Sequence, residues 1–260
     1  MAITAAEIIK AERMVLGCWR APKIVTKGNW LLCIADGLTG RANSLFILDP
    51  YDVADFKERL NWMEETYRSE GLVPTVRLSP LVPRDVMEEV KKRGYKVQKP
   101  SVALKRSLNI DAVTADVAQD ATMTVDMMEH LSDEWLETLV RFTPRFEGQA
   151  ALVKQMLVGV KGDTAYFAMR KNGETIALIM AIKDGDCLTV QNLVTQEEHR
   201  RSGLAERLMD HALKWGVKVD CTWCWLAVDG ANTPALKLYD KLGFDDFYQY
   251  AYASKPDTPQ

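Results

Sequence analysis

The feature that most restricts what this chain can fold into is a helix–strand–helix passage that recurs 149 residues further on. In the first copy Val53, Phe56, Leu60, Met63 and Tyr67 mark an amphipathic helix, Thr75–Leu78 reads as a strand, and Pro83–Arg93 as a helix closed by Gly94-Tyr95. In the second a helix begins at Gly203, Trp225 stands mid-strand where Val76 stands in the first, and Gly243-Phe244 repeats the closure. A period this long is that of a duplicated domain, not of a solenoid. A length of 260 residues accommodates two modest domains, and we expect them at 1–110 and 111–260. Their join falls in Ser107–Ala121, a stretch of small and acidic residues without clear periodicity.

The second copy shows more of its architecture. Thr164–Arg170 and Thr175–Lys183 are strand-like runs joined across Asn172-Gly173, a pair suited to a tight hairpin turn, and Asp184-Gly185-Asp186 turns into a third strand, Leu188–Thr195. Helical period follows from Gly203 to Val217, then a short strand over Thr222–Val228. Thr233-Pro234 opens a helix that stops at Gly243, and Tyr248–Tyr252 is a last aromatic strand. Upstream, Thr122–Val125 reads as a strand, and Ser132–Val140 and Ala150–Val158 as helices. The fold class is mixed α/β, each domain a largely antiparallel sheet flanked by helices. No Gly-x-Gly-x-x-Gly is present, and the order is too antiparallel for a doubly wound nucleotide fold.

Composition removes several classes of function. The 47% of apolar and 27% of charged residues are those of an ordinary globular protein, and a net charge of -3 speaks against coating nucleic acid or anionic lipid. The longest aliphatic run, Ala177–Ile182, falls far short of the roughly 20 residues that cross hydrocarbon. The N-terminus carries Glu7 early and lacks the basic start of a secretory signal, so a cytoplasmic location without membrane attachment is expected. Five cysteines, an odd number, fit a reducing compartment. Cys221-x-x-Cys224 lies in a strand-like run with no second pair or nearby histidine, so no metal site is expected and the thiols are read as buried.

The chemistry concentrates in Arg200-Arg201-Ser202-Gly203-Leu204-Ala205, where a strand feeds a helix. Unpaired amides and the positive end of the helix dipole converge there, which suits phosphate. Gly203 lets a pyrophosphate approach the backbone, Ala205 keeps the next turn low, and Arg200 or Arg201 adds charge. This turn resembles the signature of the GNAT superfamily of acyl-CoA-dependent N-acyltransferases, which Arg200-x-x-Gly203-x-Ala205 matches. A second family segment follows in order, as the strand Trp223–Val228, then Asn232-x-x-Ala235-x-x-x-Tyr239 and Leu242-Gly243-Phe244, so the resemblance spans residues 122–252.

The resemblance implies a fold, an activity and a set of roles. Acetyl-CoA would be the co-substrate and a primary amine, on a small molecule or a protein, the acceptor; a non-catalytic acyl-CoA-binding or regulatory module is the alternative. The backbone of Leu193, Val194 and Thr195 would pair with the pantetheine amides, the amides from Arg201 to Glu206, including those of Ser202, Gly203, Leu204 and Ala205, would hold the pyrophosphate, and Asn232 would reach the pantetheine arm. An N–H near Leu193 or Val194 would stabilise the oxyanion, and Tyr239 would protonate the departing thiolate. The strands carrying Val194 and Trp225 must splay apart to admit the arm. No general base stands out: Gln191 and Asn192 cannot serve, leaving a water relay or a distant acid such as Asp229 or Glu147. His199 and His211 read as surface or packing residues.

In the first copy the corresponding turn is Leu48-Asp49-Pro50-Tyr51-Asp52-Val53, with two acids and a proline where the second has arginines and glycine. Such a turn repels pyrophosphate, so the first copy is expected to have lost the cofactor and either to complete a substrate cleft or to support its sibling. A polar loop, Gly37-x-x-Gly40-Arg41-x-Asn43-Ser44, reads as facing that cleft or as a plain connection. The protein is expected to be a monomer or a homodimer.

Overall fold

The computed structural model describes residues 3–98, 100–109 and 122–255. Two compact units form, and both are discontinuous in sequence. The first gathers Met1–Ala103, Ala227–Thr233 and Asp246–Gln260; the second gathers Leu104–Leu226 and Pro234–Asp245. Of the stretch expected to join the copies, residues 110–121 lie outside the described residues.

In the first unit a helix, α1 (Ala5–Cys18), starts at a capping box: Thr4 Oγ1 accepts from the Glu7 amide while the Glu7 carboxylate accepts from the Thr4 amide. Strands β1 (Lys23–Lys27), β2 (Trp30–Ile34) and β3 (Leu45–Ile47) pair antiparallel in succession, and β3 runs parallel to β4 (Thr75–Leu78). Between those two, α2 (Phe56–Ser69) makes the crossover, and α3 (Arg84–Lys92) follows β4. The sheet order is β1-β2-β3-β4-β12, where β12 is Asp245–Ser254 and also pairs the short β5 (Lys96–Val97). One core holds Trp30, Leu45, Leu60, Met63, Tyr67 and Val76, the last four meeting as the helical and alternating periods require.

A charged group lies in the interior of this unit. The Arg77 guanidinium is 1% exposed and donates through Nε and Nη2 to both oxygens of Glu12, each at 2.7 Å. Three tyrosines of β12 complete the arrangement: Tyr248 Oη donates to Glu12 at 2.6 Å, Arg77 Nη1 donates to Tyr252 Oη at 2.9 Å, and the Tyr250 ring lies 3.5 Å from the guanidinium carbon. Their spacing of two puts all three on one face of the strand.

The second unit has the sheet order β6-β11-β10-β9-β8-β7, with β6 at Ser101–Ser107, β7 at Met123–Met128, β8 at Asp163–Lys171, β9 at Glu174–Asp184, β10 at Cys187–Thr195 and β11 at Trp223–Asp229. Strands β7 to β10 are antiparallel, and β10 to β11 is parallel. The hairpin between β8 and β9 turns at Asn172 (φ 51°) and Gly173 (φ 86°), the left-handed pair that such a turn demands. Helices α4 (Asp133–Phe142) and α5 (Ala150–Val158) precede β8; α6 (Leu204–Lys218) links β10 to β11; α7 (Thr233–Lys241) follows β11.

The helices take opposite faces. Tyr166 meets the Trp135 ring of α4 at 5.1 Å, whereas its neighbour Phe167 meets His211 of α6 at 6.5 Å, and consecutive strand residues point to opposite sides. Gly216 lets α6 lie close to β10, since a Cβ there would come within 2.7 Å of Leu188. Under the 149-residue offset α3 and α7 begin and end at matching positions, so the duplication read from the sequence is repeated in the elements. Among the described residues no helix is long and apolar enough to cross a membrane.

Removing one partner of the buried ion pair leaves the other charge stranded, at a cost of about 3–5 kcal/mol. Glu12→Gln is therefore expected to lower the unfolding free energy by about that much in urea titrations followed by tryptophan fluorescence. Tyr248→Phe, which removes one hydrogen bond to a charged group, should cost about 1.5–3 kcal/mol; equal stability of all three proteins contradicts this account of the first unit.

Candidate functional site

Strand β10 has β11 beside it for only part of its length. The parallel register is Cys187↔Trp223, Leu188↔Cys224 and Thr189↔Trp225, and it ends there, although both strands continue. Toward β9 the register shifts between Gln191 and Val194, and within this bulge Asn192 takes φ 54°, a left-handed conformation that non-glycine residues seldom adopt. Leu193, Val194 and Thr195, the residues expected to meet the pantetheine amides, follow the bulge and are half-buried. Beyond Thr189 no register pair joins β10 and β11 among the described residues.

The chain then passes through a short 3-10 turn, Glu197–His199, and reaches α6. Arg201 (φ 61°) and Gly203 (φ 79°) both take left-handed torsions, with Ser202 Oγ donating to the His199 carbonyl between them. Gly203 is the N-cap and supplies no side chain, and the first intrahelical bond is from the Arg207 amide to the Gly203 carbonyl at 3.1 Å. The amides of Leu204, Ala205 and Glu206 therefore face the helix N-terminus without a helical acceptor. Arg200, Arg201, Ser202 and Gly203 are exposed, Leu204 is buried and Ala205 half-buried; Arg200 lies 3.5 Å from Glu197. Backbone donors, a dipole and two guanidinium groups at one exposed turn suit a diphosphate.

Tyr239 lies on α7, 8% exposed, with its ring edge-on to Phe244 at 5.7 Å. Burial first, and the Cys224 thiol second, push its phenol up to about 12. Its hydroxyl makes no hydrogen bond among the described residues, so the proton is available to an incoming group. Cys224 pairs in register with Leu188, which packs against α6, so Tyr239 belongs to the α6 side of the sheet. Asn232 is exposed and falls in the segment Ala227–Thr233 of the first unit, its amide donating to the Asp229 carbonyl at 2.8 Å. Asp229 and Glu147 are exposed, as is His211, while His199 is half-buried.

The corresponding turn of the first unit shares the left-handed cap, lacks the second left-handed residue, and differs in its charges. Asp55, the N-cap of α2, is left-handed (φ 54°) as Gly203 is before α6. Asp52 accepts from the Asn29 amide at 2.7 Å and pairs with Arg59 at 2.7 Å; Arg59 first, and Asn29 next, hold its carboxyl below the usual carboxylate range. The glycine-rich loop closes on itself, with Asn43 bonding to Ala35, Gly37 and Thr39. All five cysteines are buried thiols, and burial raises Cys221 to about 11 and Cys224 further.

One part of the site carries no signature in the sequence. Among the described residues Asn192 Nδ2, Gln196 Oε1 and Trp225 Nε1 are buried side-chain atoms without a hydrogen-bond partner, and all three belong to β10, β11 or the residue that follows β10. The bulge that creates this polarity depends on pairing with β9, which no local pattern announces.

The model of the Acetyltransferase (GNAT) family matches residues 125–244. An uncharacterized N-acetyltransferase of Bacillus subtilis strain 168, YobR, is 24% identical over 254 residues, spanning 96% of this chain and 99% of its own. The fold is similar to that of a GCN5-related N-acetyltransferase from Kribbella flavida (TM-score 0.71, 18% identity, 99% and 98% of the two chains). It is similar also to that of a tandem GNAT protein from the clavulanic acid biosynthesis pathway (TM-score 0.68, 13% identity, 100% and 98%). The phosphate-type turn and the end of the β10–β11 pairing both lie inside the span that matches the GNAT acetyltransferase family, and the chain as a whole has the fold of a tandem GNAT protein.

Proposed function

We propose that this chain transfers the acetyl group of acetyl-CoA to a primary amine. The observation that carries the reading is the turn Arg201–Gly203, left-handed at both ends and capping α6 without a side chain, directly beyond a strand edge that has lost its neighbour. Pantetheine is a chain of amides. An arm laid on the free edge of Leu193–Thr195 satisfies its own N–H and C=O groups and those of β10, as an added strand does. The pyrophosphate then falls on the amides of Leu204, Ala205 and Glu206, with Arg200 and Arg201 adding charge.

The reaction follows from that placement. The amine nitrogen attacks the thioester carbon, and the carbonyl electron pair moves onto oxygen, where an N–H near Leu193 or Val194 stabilises it. Collapse breaks the carbon–sulfur bond, and sulfur takes the Tyr239 proton as it leaves. The proton lost by the amine nitrogen passes to water and balances the one that restores the phenol, so that thioester and amine give amide and thiol. A carboxylate does not stand on the central strand at Gln191 or Asn192, which favours water as the first proton acceptor. The first unit, with acids at its turn, holds no CoA in this reading and supports its sibling.

Acetyl-CoA at saturation should raise the Tm of the full chain, and Gly203→Glu, which adds strain and a negative charge at the cap, should remove most of that rise. No shift in the unaltered protein contradicts the reading. Release of free thiol over a panel of amines separates an enzyme from an acyl-CoA-binding module.

Tyr239→Phe is expected to lower kcat by about 100-fold or more at nearly unchanged KM for acetyl-CoA. Because the phenol is raised to about 12, it stays protonated throughout the neutral and mildly alkaline range. The pH–rate profile should accordingly show no alkaline loss attributable to Tyr239 up to pH of about 10, with the same alkaline shape in Tyr239→Phe. An alkaline limb that disappears in the variant contradicts this.

A further inference from the structure

We propose that the side-chain amide of Asn192 recognises the acyl group itself, by donating to the carbonyl oxygen of the bound thioester; this rests on the acetyl-CoA reading above. Asn192 is the left-handed residue of the β10 bulge, and its Nδ2 is buried with no acceptor. Leaving a buried donor unpaired is costly, so such a group beside an open strand edge signals an acceptor that arrives with a ligand.

The direction of the cofactor identifies which acceptor. The diphosphate lies beyond the end of β10, so the pantetheine arm runs backward along Thr195, Val194 and Leu193, and the thioester, at its far end, is the part that comes to Asn192. The last group of that arm is a carbonyl oxygen in acetyl-CoA and a bare thiol in CoA. A donor at Asn192 therefore reads whether the cofactor is loaded.

Two further atoms agree. Trp225 is 1% exposed, stands opposite Thr189 at the last paired position, and keeps its indole N–H without a partner; it is a second donor at the mouth of the splay. Gln196 Oε1, on the phosphate side of Asn192, is a buried acceptor without a partner, which suits an amide N–H of the arm. Donors at the acyl end and an acceptor toward the phosphates match the polarity of an acylated pantetheine. As the amine adds and charge builds on the carbonyl oxygen, the same N–H donates more strongly, and burial keeps water from competing.

Isothermal titration of the full chain with acetyl-CoA and, separately, with CoA tests this. Asn192→Gly removes the amide while tolerating the left-handed torsion, and Asn192→Asp keeps the shape but offers only acceptors. The glycine variant is expected to bind acetyl-CoA about 3- to 10-fold more weakly and CoA as before, and the aspartate variant to lose at least as much for acetyl-CoA. An equal loss for both ligands, or no loss for either, overturns the role of Asn192 while leaving the acetyl-CoA reading in place. Absence of binding to either ligand by the unaltered protein overturns that reading and this inference with it.

Discussion

The parting of β10 from β11 after Thr189 is the constraint on which the second unit turns. A parallel pair in a central position normally stays paired, because each lost backbone bond leaves a donor and an acceptor without a partner. Here the opposite edge is held firmly: β10 remains in register with β9 on both sides of the bulge, and α6 lies close across Gly216. The strand is therefore fixed in place by one neighbour and one helix while its other edge is open. An open edge would invite association with other strands, but this one is short, twisted by the bulge and only half-exposed. In the proposed reaction a ligand, not a strand, satisfies that edge, and this is what would join fold to chemistry in this unit.

The duplicated unit separates shape from charge. Both α2 and α6 begin from a left-handed cap, although only the turn before α6 has a second left-handed residue, Arg201. At Gly203 that shape is bare and flanked by arginines, whereas at Asp55 it follows Asp52, whose carboxylate already holds Asn29 and Arg59.

How much of this was legible in the sequence depended on how local each feature is. The periods that mark α5 at Ala150–Val158 and β4 at Thr75–Leu78 are contained in the segments themselves, and both elements occur at the positions read. The start of α6 at Gly203 was readable for the same reason, since the cap is set by consecutive residues. Tyr248–Tyr252 announced an aromatic strand but not its neighbours: that Tyr248 and Tyr252 reach Glu12 and Arg77 follows from pairing with β4, more than a hundred residues away in sequence. The Asn192 bulge is equally non-local. A Thr4–Glu7 capping box was available as a helix signal and α1 follows it, whereas the short β3 at Leu45–Ile47 has too few residues to display a period.

The placement of β12 in the first unit has a consequence for the order of events when the protein is made. Synthesis delivers Glu12 and Arg77 well before the tyrosines that surround that ion pair, which lie 236 residues beyond Glu12 and 175 beyond Arg77. Until they emerge, the sheet of the first unit ends at β4 with an unpaired edge and a charge pair lacking its aromatic cover. The charge pair of the first unit therefore waits for its cover on a strand 175 residues downstream of Arg77.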